Sequence, residues 1–151
     1  MRDPNNLLMQ EADGTFVETA STAGVATTDR SRGAAFADFD GDGRLDLVVM
    51  NRRAKMELYR NITADTGNWL QIELSQMSSN NRAIGATVIV RYGEGLQAQQ
   101  NTVGGGHAGG SALPLHFGLG DADAAIVTVR WPDGTATGHE VKANQSIIIS
   151  R

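Results

Sequence analysis

Cysteine is absent from the 151 residues. That excludes a disulfide framework and thiol chemistry of any kind, and it leaves the redox compartment unread. Aromatic side chains make up 5% of the chain, so a core must be built largely from smaller apolar residues. No apolar run approaches the ~20 residues of a membrane span, and membrane insertion is not expected. Basic residues are outnumbered, 13 Lys and Arg against 17 Asp and Glu, for a formal net charge of -4. With a pI near 5.3 and no basic stripe, the chain lacks the electrostatic footprint of a nucleic-acid binder. The opening Met1-Arg2-Asp3-Pro4-Asn5-Asn6 is too polar for a signal peptide, so the sequence as written is not expected to export itself. No segment shows a convincing 3.6-residue apolar stripe.

What is present points to β-structure. Hydrophobic residues reach 40% and glycines number 18, a composition for short strands and frequent turns in one ordinary domain or two small ones. Two zones separate at the polar connection Thr63 to Asn68. The first holds Leu7-Leu8-Met9-Gln10, an Asp13-Gly14 turn and Phe16-Val17-Glu18, a hairpin signal. A polar loop is expected from Ala20 to Arg32, then a short strand around Ala35 to Ala37. A strand from Leu45 to Met50 follows, apolar without alternation and so expected to be buried on both faces. Met56 to Asn61 would pair with it. The second zone alternates: Leu70, Ile72 and Leu74; Ala86, Val88, Val90 and Tyr92; Leu113, Leu115, Phe117 and Leu119; Val127, Val129 and Trp131. It continues into a Pro132-Asp133-Gly134 turn and a closing strand, Ile147 to Ile149. Period-two alternation with such turns predicts a β-sandwich or barrel.

The sharpest chemical statement lies between the strands of the first zone. Residues 38 to 46 read Asp-Phe-Asp-Gly-Asp-Gly-Arg-Leu-Asp, which puts four carboxylates into one short loop without a lysine. At an effective dielectric near 20, two carboxylates roughly 4 Å apart repel by about 4 kcal/mol, so a compact loop of this kind calls for a cation. Ca2+ takes about six to eight oxygen ligands at relaxed geometry, whereas Mg2+ keeps several waters and prefers fewer protein ligands. In this reading Asp38, Asp40 and Asp42 converge, Gly43 supplies a positive-φ turn, Arg44 offers its backbone carbonyl with its side chain outward, and Asp46 closes the shell. An EF-hand would need a bidentate Glu at the twelfth position, where Val49 stands. The competing reading is a solvated acidic turn holding no ion.

Gly33 to Val49, together with Leu58-Tyr59-Arg60-Asn61, resembles the FG-GAP (VCBS-type) repeat, a blade of β-propellers. Asn6-Leu7-Leu8 with Asp13-Gly14-Thr15-Phe16 resembles the tail of a preceding repeat. The second zone is similar to the ASPIC/UnbV domain that follows such repeats in the cartilage acidic protein family. The matching stretches are Asn68-Trp69-Leu70, Ala83-Ile84-Gly85-Ala86, Leu115 to Gly120, Val129 to Gly134 and Ala143-Asn144-Gln145. The resemblance implies an all-β chain: residues 1–63 as a single propeller-blade-like antiparallel sheet with a calcium loop, and residues 68–151 as a β-sandwich or barrel-like domain. It also implies Ca2+ on Asp38, Asp40, Asp42 and Asp46, and an extracellular or periplasmic setting. Repeat units generally cannot bury their apolar faces alone, and roughly one blade is present.

Other motifs carry less. Gly104-Gly105-Gly106-His107-Ala108-Gly109 satisfies G-x-G-x-x-G but runs into a strand instead of the helix that a phosphate cradle needs. His107, His116 and His139 lack a metal-ligand spacing, and His116 opposes the apolar face of its strand. Ser111 has no nucleophile-elbow context, so an enzyme is not expected. Trp131 belongs to the inward set; Trp69 is left for exposure or for packing across the zones. Asn61-Ile62-Thr63 and Asn144-Gln145-Ser146 are glycosylation sequons. The functional expectation is a non-catalytic calcium-binding β module for adhesion or protein interaction, the ion being structural. The alternative is a carbohydrate-binding module using the Gly104–Gly110 loop and exposed aromatics. A non-catalytic portion of a larger enzyme ranks last. Exposed blade edges make a homo-oligomer a further expectation.

Overall fold

A computed structural model of the chain describes residues 3–105 and 114–151. His107, Ser111, Leu113 and the glycine-rich stretch from Gly106 to Gly110 lie outside the described residues. The first turn forms as its residues dictate. Strands β1 (Leu8–Gln10) and β2 (Phe16–Glu18) pair antiparallel around Gly14 at φ 85°. There Asp13 Oδ1 accepts the Thr15 backbone N–H at 2.9 Å and its hydroxyl at 2.6 Å, the side-chain-to-backbone bond that makes Asp a turn former.

The stretch expected to be a loop from Ala20 to Arg32 instead opens with a four-residue helix α1 (Ala20–Ala23). Glu18 Oε1 accepts the Ala20 N–H at 2.8 Å, and Gly24 ends the turn in the left-handed conformation. Strands β3 (Ser31–Ala37), β4 (Asp46–Asn51) and β5 (Glu57–Tyr59) then form an antiparallel three-stranded meander. The apolar strand β4 is not buried on both faces. Asp46 and Val49 are inside while Met50 is 52% exposed, with Phe36 and Leu58 also exposed on its neighbours. The apolar run is longer than the cover the described residues provide, so hydrophobic composition alone overstated its burial.

From Asn68 onward two sheets face one another. One has the order β11 (Ala136–Lys142), β10 (Ala124–Arg130), β7 (Thr87–Tyr92), β8 (Gly95–Gln100) and is antiparallel throughout. The other has the order β12 (Gln145–Ser150), β6 (Asn68–Ser75), β9 (Leu115–Gly120). The alternating residues meet between them: Leu70, Ile72 and Leu74 pack with Val88, Val90, Phe117, Leu119, Val127, Val129 and Trp131, all buried. Fully burying such side chains contributes roughly 1.5–3 kcal/mol each, which makes this sandwich the stable body of the chain.

The closing strand β12 runs parallel to β6, a feature that alternation does not reveal. Asn144 is responsible. At φ 59° it turns the chain from one sheet into the other. Its N–H donates to Trp69 O at 2.7 Å, its Oδ1 accepts the Trp69 N–H at 3.2 Å, and its Nδ2 donates to Asn68 Oδ1 at 2.8 Å. Both ends of β12 are tied down, because Arg151 pairs with Asp133 at 2.6 Å and lies 5.0 Å over the Trp131 ring.

Candidate metal centre

The acidic loop spans the turn from β3 to β4, beyond the last ladder pair, Ala37 with Asp46. Gly41 at φ 76° and Gly43 at φ 86° fold it back on itself, and Asp38 organises the result. Its Oδ1 accepts the N–H groups of Gly41 and Asp42 at 2.8 and 3.1 Å. Its Oδ2 accepts the N–H of Gly43 at 2.9 Å and the amide of Gln71, on β6, at 3.0 Å.

Carboxylate oxygens of Asp38, Asp40 and Asp42 lie within 4.8 Å of one another. Asp46 is placed differently. It is 3% exposed, and its two oxygens each accept a backbone N–H, from Phe39 at 3.1 Å and from Asn61 at 2.8 Å. Its carboxylate therefore ties the start of the loop to the segment that follows β5. The Arg44 side chain turns inward, against expectation: its guanidinium pairs with Asp42 and its Nε donates to Asn61 O at 2.9 Å. The Asn61 carbonyl, just beyond β5, and the Asp42 carboxylate together hold the guanidinium against the loop.

Two arginines offset part of the loop charge. Arg60 lies 2.7 Å from Asp40 and 3.4 Å from Asp42. The Arg44 backbone N–H, then the Arg44 charge and a hydrogen bond from the Arg60 side chain, hold the Asp42 carboxyl below the usual carboxylate range; Asp40 and Asp42 push Arg60 up. The donor set suits a hard divalent cation, since it consists of carboxylate oxygens on a glycine-shaped loop. Among the described residues no other group of three metal-type side chains converges.

The residues that sequence reasoning missed are Arg60, Asn61 and Gln71. The first two stood in the Leu58-to-Asn61 motif, but nothing marked their contact with the loop. Gln71 carried only one signal, its place on the polar register of β6. Trp69 resolves to packing across the zones: its indole abuts Gly43 and stacks on His116 with centroids 6.2 Å apart. Burial lowers the His116 pKa, and Asp38 pulls it the other way. His139 Nε2 sits 3.1 Å from Thr137 Oγ1, far down β11. Both sequon asparagines already use their amides, Asn61 to Leu45 O and Asn144 to Asn68 Oδ1.

Fold and site together define an all-β protein in which a short meander presents an acidic loop to the outer face of a two-sheet sandwich. The ASPIC and UnbV family matches residues 76–151, and the FG-GAP-like repeat matches residues 2–49, acidic loop included. Cartilage acidic protein 1 of Mus musculus and of Homo sapiens is 30% identical over 121 residues, covering 77% of this chain and 18% of the relative. The protein of the same name from Xenopus tropicalis is 30% identical over 125 residues, covering 79% and 19%. The chain belongs to the ASPIC and UnbV family, with an FG-GAP-like repeat ahead of that domain. It spans less than a fifth of the length of these curated relatives. No helix among the described residues is long and apolar enough to cross a membrane.

Proposed function

We propose that this chain is a non-catalytic, calcium-stabilised β module, built as two units over residues 1–63 and 68–151, that works by contact with another protein. The observation carrying the metal reading is the convergence of Asp38, Asp40 and Asp42 oxygens within 4.8 Å on a loop inside the FG-GAP-like match. Those three carboxylates would hold Ca2+, with the Arg44 carbonyl and Asp46 completing or bracing the set. The ion supplies charge neutralisation and cross-links the loop; no bond is made or broken on it. A relative named for cartilage fits an extracellular setting. Exposed apolar side chains on both faces of the meander, Phe36 on one and Met50 and Leu58 on the other, together with Leu8, Met9 and Phe16 of the first hairpin, support a protein partner, another copy included, because exposed apolar surface beyond scattered single residues marks interaction sites.

The test is thermal melting with EDTA and with added Ca2+. At a free concentration of about 100 times Kd, a ligand specific for the native state adds about 2.7 kcal/mol. At roughly 2–4 °C per kcal/mol, the melting temperature rises by about 5–11 °C. Superimposable curves in EDTA and in millimolar Ca2+ defeat the proposal. Light scattering across a hundredfold concentration range checks self-association, and a strict monomer leaves these apolar side chains for a different protein.

A further inference from the structure

The acidic loop is touched by a second element of the chain. Gln71, on the outward register of β6, donates to Asp38 Oδ2 at 3.0 Å. Trp69, two residues earlier on the same face, lies so close to Gly43 that a Cβ there would stand 2.0 Å from the indole Nε1. His116, on the adjacent strand β9, backs the indole in a near-parallel stack at 10°. These side chains project opposite Leu70 and Ile72, which are fixed in the core, so their positions inherit the rigidity of the sandwich.

Asp38 is the most heavily shared carboxylate of the loop, with three loop N–H groups and one donor from outside. A donor behind a ligating carboxylate sets its orientation, and losing one typically weakens metal binding by about 10–100-fold. We propose that Gln71 and Trp69 are positioning residues of the cation site, so that the site is complete only with the C-terminal sandwich docked on the loop. This rests on the calcium reading above. Gln71 aims Asp38. Trp69 occupies the space beside Gly43 and holds that residue in its left-handed turn. Neither is a ligand. By reciprocity, an ion that favours the docked loop also strengthens the contact between loop and sandwich.

The test uses the full chain. Calorimetric Ca2+ titration of Gln71→Ala is expected to show binding weakened about tenfold or more, with the melting curve in EDTA little changed. A purely structural role would move that curve and leave affinity alone. Tb3+ added in place of Ca2+ should emit when tryptophan is excited; Trp69→Phe should abolish this emission, while Trp131→Phe, altered in the buried core, should keep it. If Gln71→Ala does not fold, the luminescence pair decides. Unchanged Ca2+ affinity in Gln71→Ala, or sensitised emission surviving Trp69→Phe, overturns the inference and leaves the calcium reading standing. A wild-type chain that takes up neither Ca2+ nor Tb3+ removes both.

Discussion

Replacing Gly43 by alanine tests the contact between loop and sandwich without touching a charge. Two costs add. Gly43 sits at φ 86°, where an L-residue loses roughly 1–2 kcal/mol. The new methyl would also stand 2.0 Å from Trp69 Nε1 and 2.1 Å from its Cδ1, so the indole must leave its stack on His116 or the loop must open. Forced repacking of this kind costs about 1–3 kcal/mol. Gly41 provides the control. Its φ is 76° and nothing lies within 4 Å of its missing Cβ, so Gly41→Ala carries the backbone cost alone. At about 2–4 °C per kcal/mol, Gly41→Ala should lower the melting temperature by about 4 °C and Gly43→Ala by about 10 °C.

The difference between the two belongs to Trp69. In a Trp69→Ala background, Gly43→Ala should therefore cost no more than Gly41→Ala, a coupling of roughly 1–3 kcal/mol. Two alanine variants that melt together, or a gap that persists without the indole, would refute the reasoning.

The other expectations rest on single observations. Asp46→Ala leaves the Phe39 and Asn61 N–H groups without their acceptor and should cost about 3 kcal/mol in denaturant unfolding, with Asp46→Asn costing less. Phe117→Ala empties a fully buried site and should cost about 3–5 kcal/mol by the same measurement. Bonds from Arg151 and then Thr135 hold the Asp133 carboxyl well below the usual carboxylate range. Its stabilising share is therefore complete above the ordinary Asp pKa of about 3.9 and lost as pH falls toward the depressed folded value. Carboxyl NMR titration of Arg151→Ala should show that pKa moving back up.

The second half of the chain was legible because its signal is additive. Every second residue of β6, β7, β9 and β10 is apolar, and burial follows that register from Leu70 to Val129. The meander was less so. Its residues 45 to 50 read as a strand enclosed on both sides, but enclosure depends on what else is nearby, which local composition does not encode. Likewise the spacing of Asp38, Asp40 and Asp42 announced their convergence, since alternate residues on a glycine loop have few other ways to turn. The partners Arg60 and Gln71 come from 18 and 33 residues away, and no local pattern carries such distances. The parallel strand β12 was hidden for a related reason: one asparagine, Asn144, redirects the chain through bonds to Asn68 and Trp69.

The two loop arginines should respond oppositely to removal. Arg60 is 63% exposed and approaches Asp40 and Asp42 from the solvent side, so it leaves for water at little cost. A divalent cation seeks the same oxygens, which makes Arg60 a competitor. Exposed pairs of this type are weak, so Arg60→Ala should tighten Ca2+ binding by only about two- to fivefold. Salt should erase the difference, since the screening length falls to about 3 Å at 1 M. Arg44 is 26% exposed and its Nε is bound to Asn61 O at 2.9 Å, so it belongs to the frame that joins the loop to the end of β5. Arg44→Ala should lower the melting temperature in EDTA and bring no gain in affinity. Titration calorimetry at 0.05 M and 1 M NaCl distinguishes the two roles. Weaker Ca2+ binding by Arg60→Ala at low salt would mean that its guanidinium holds Asp40 and Asp42 in place for the ion instead of contending with it.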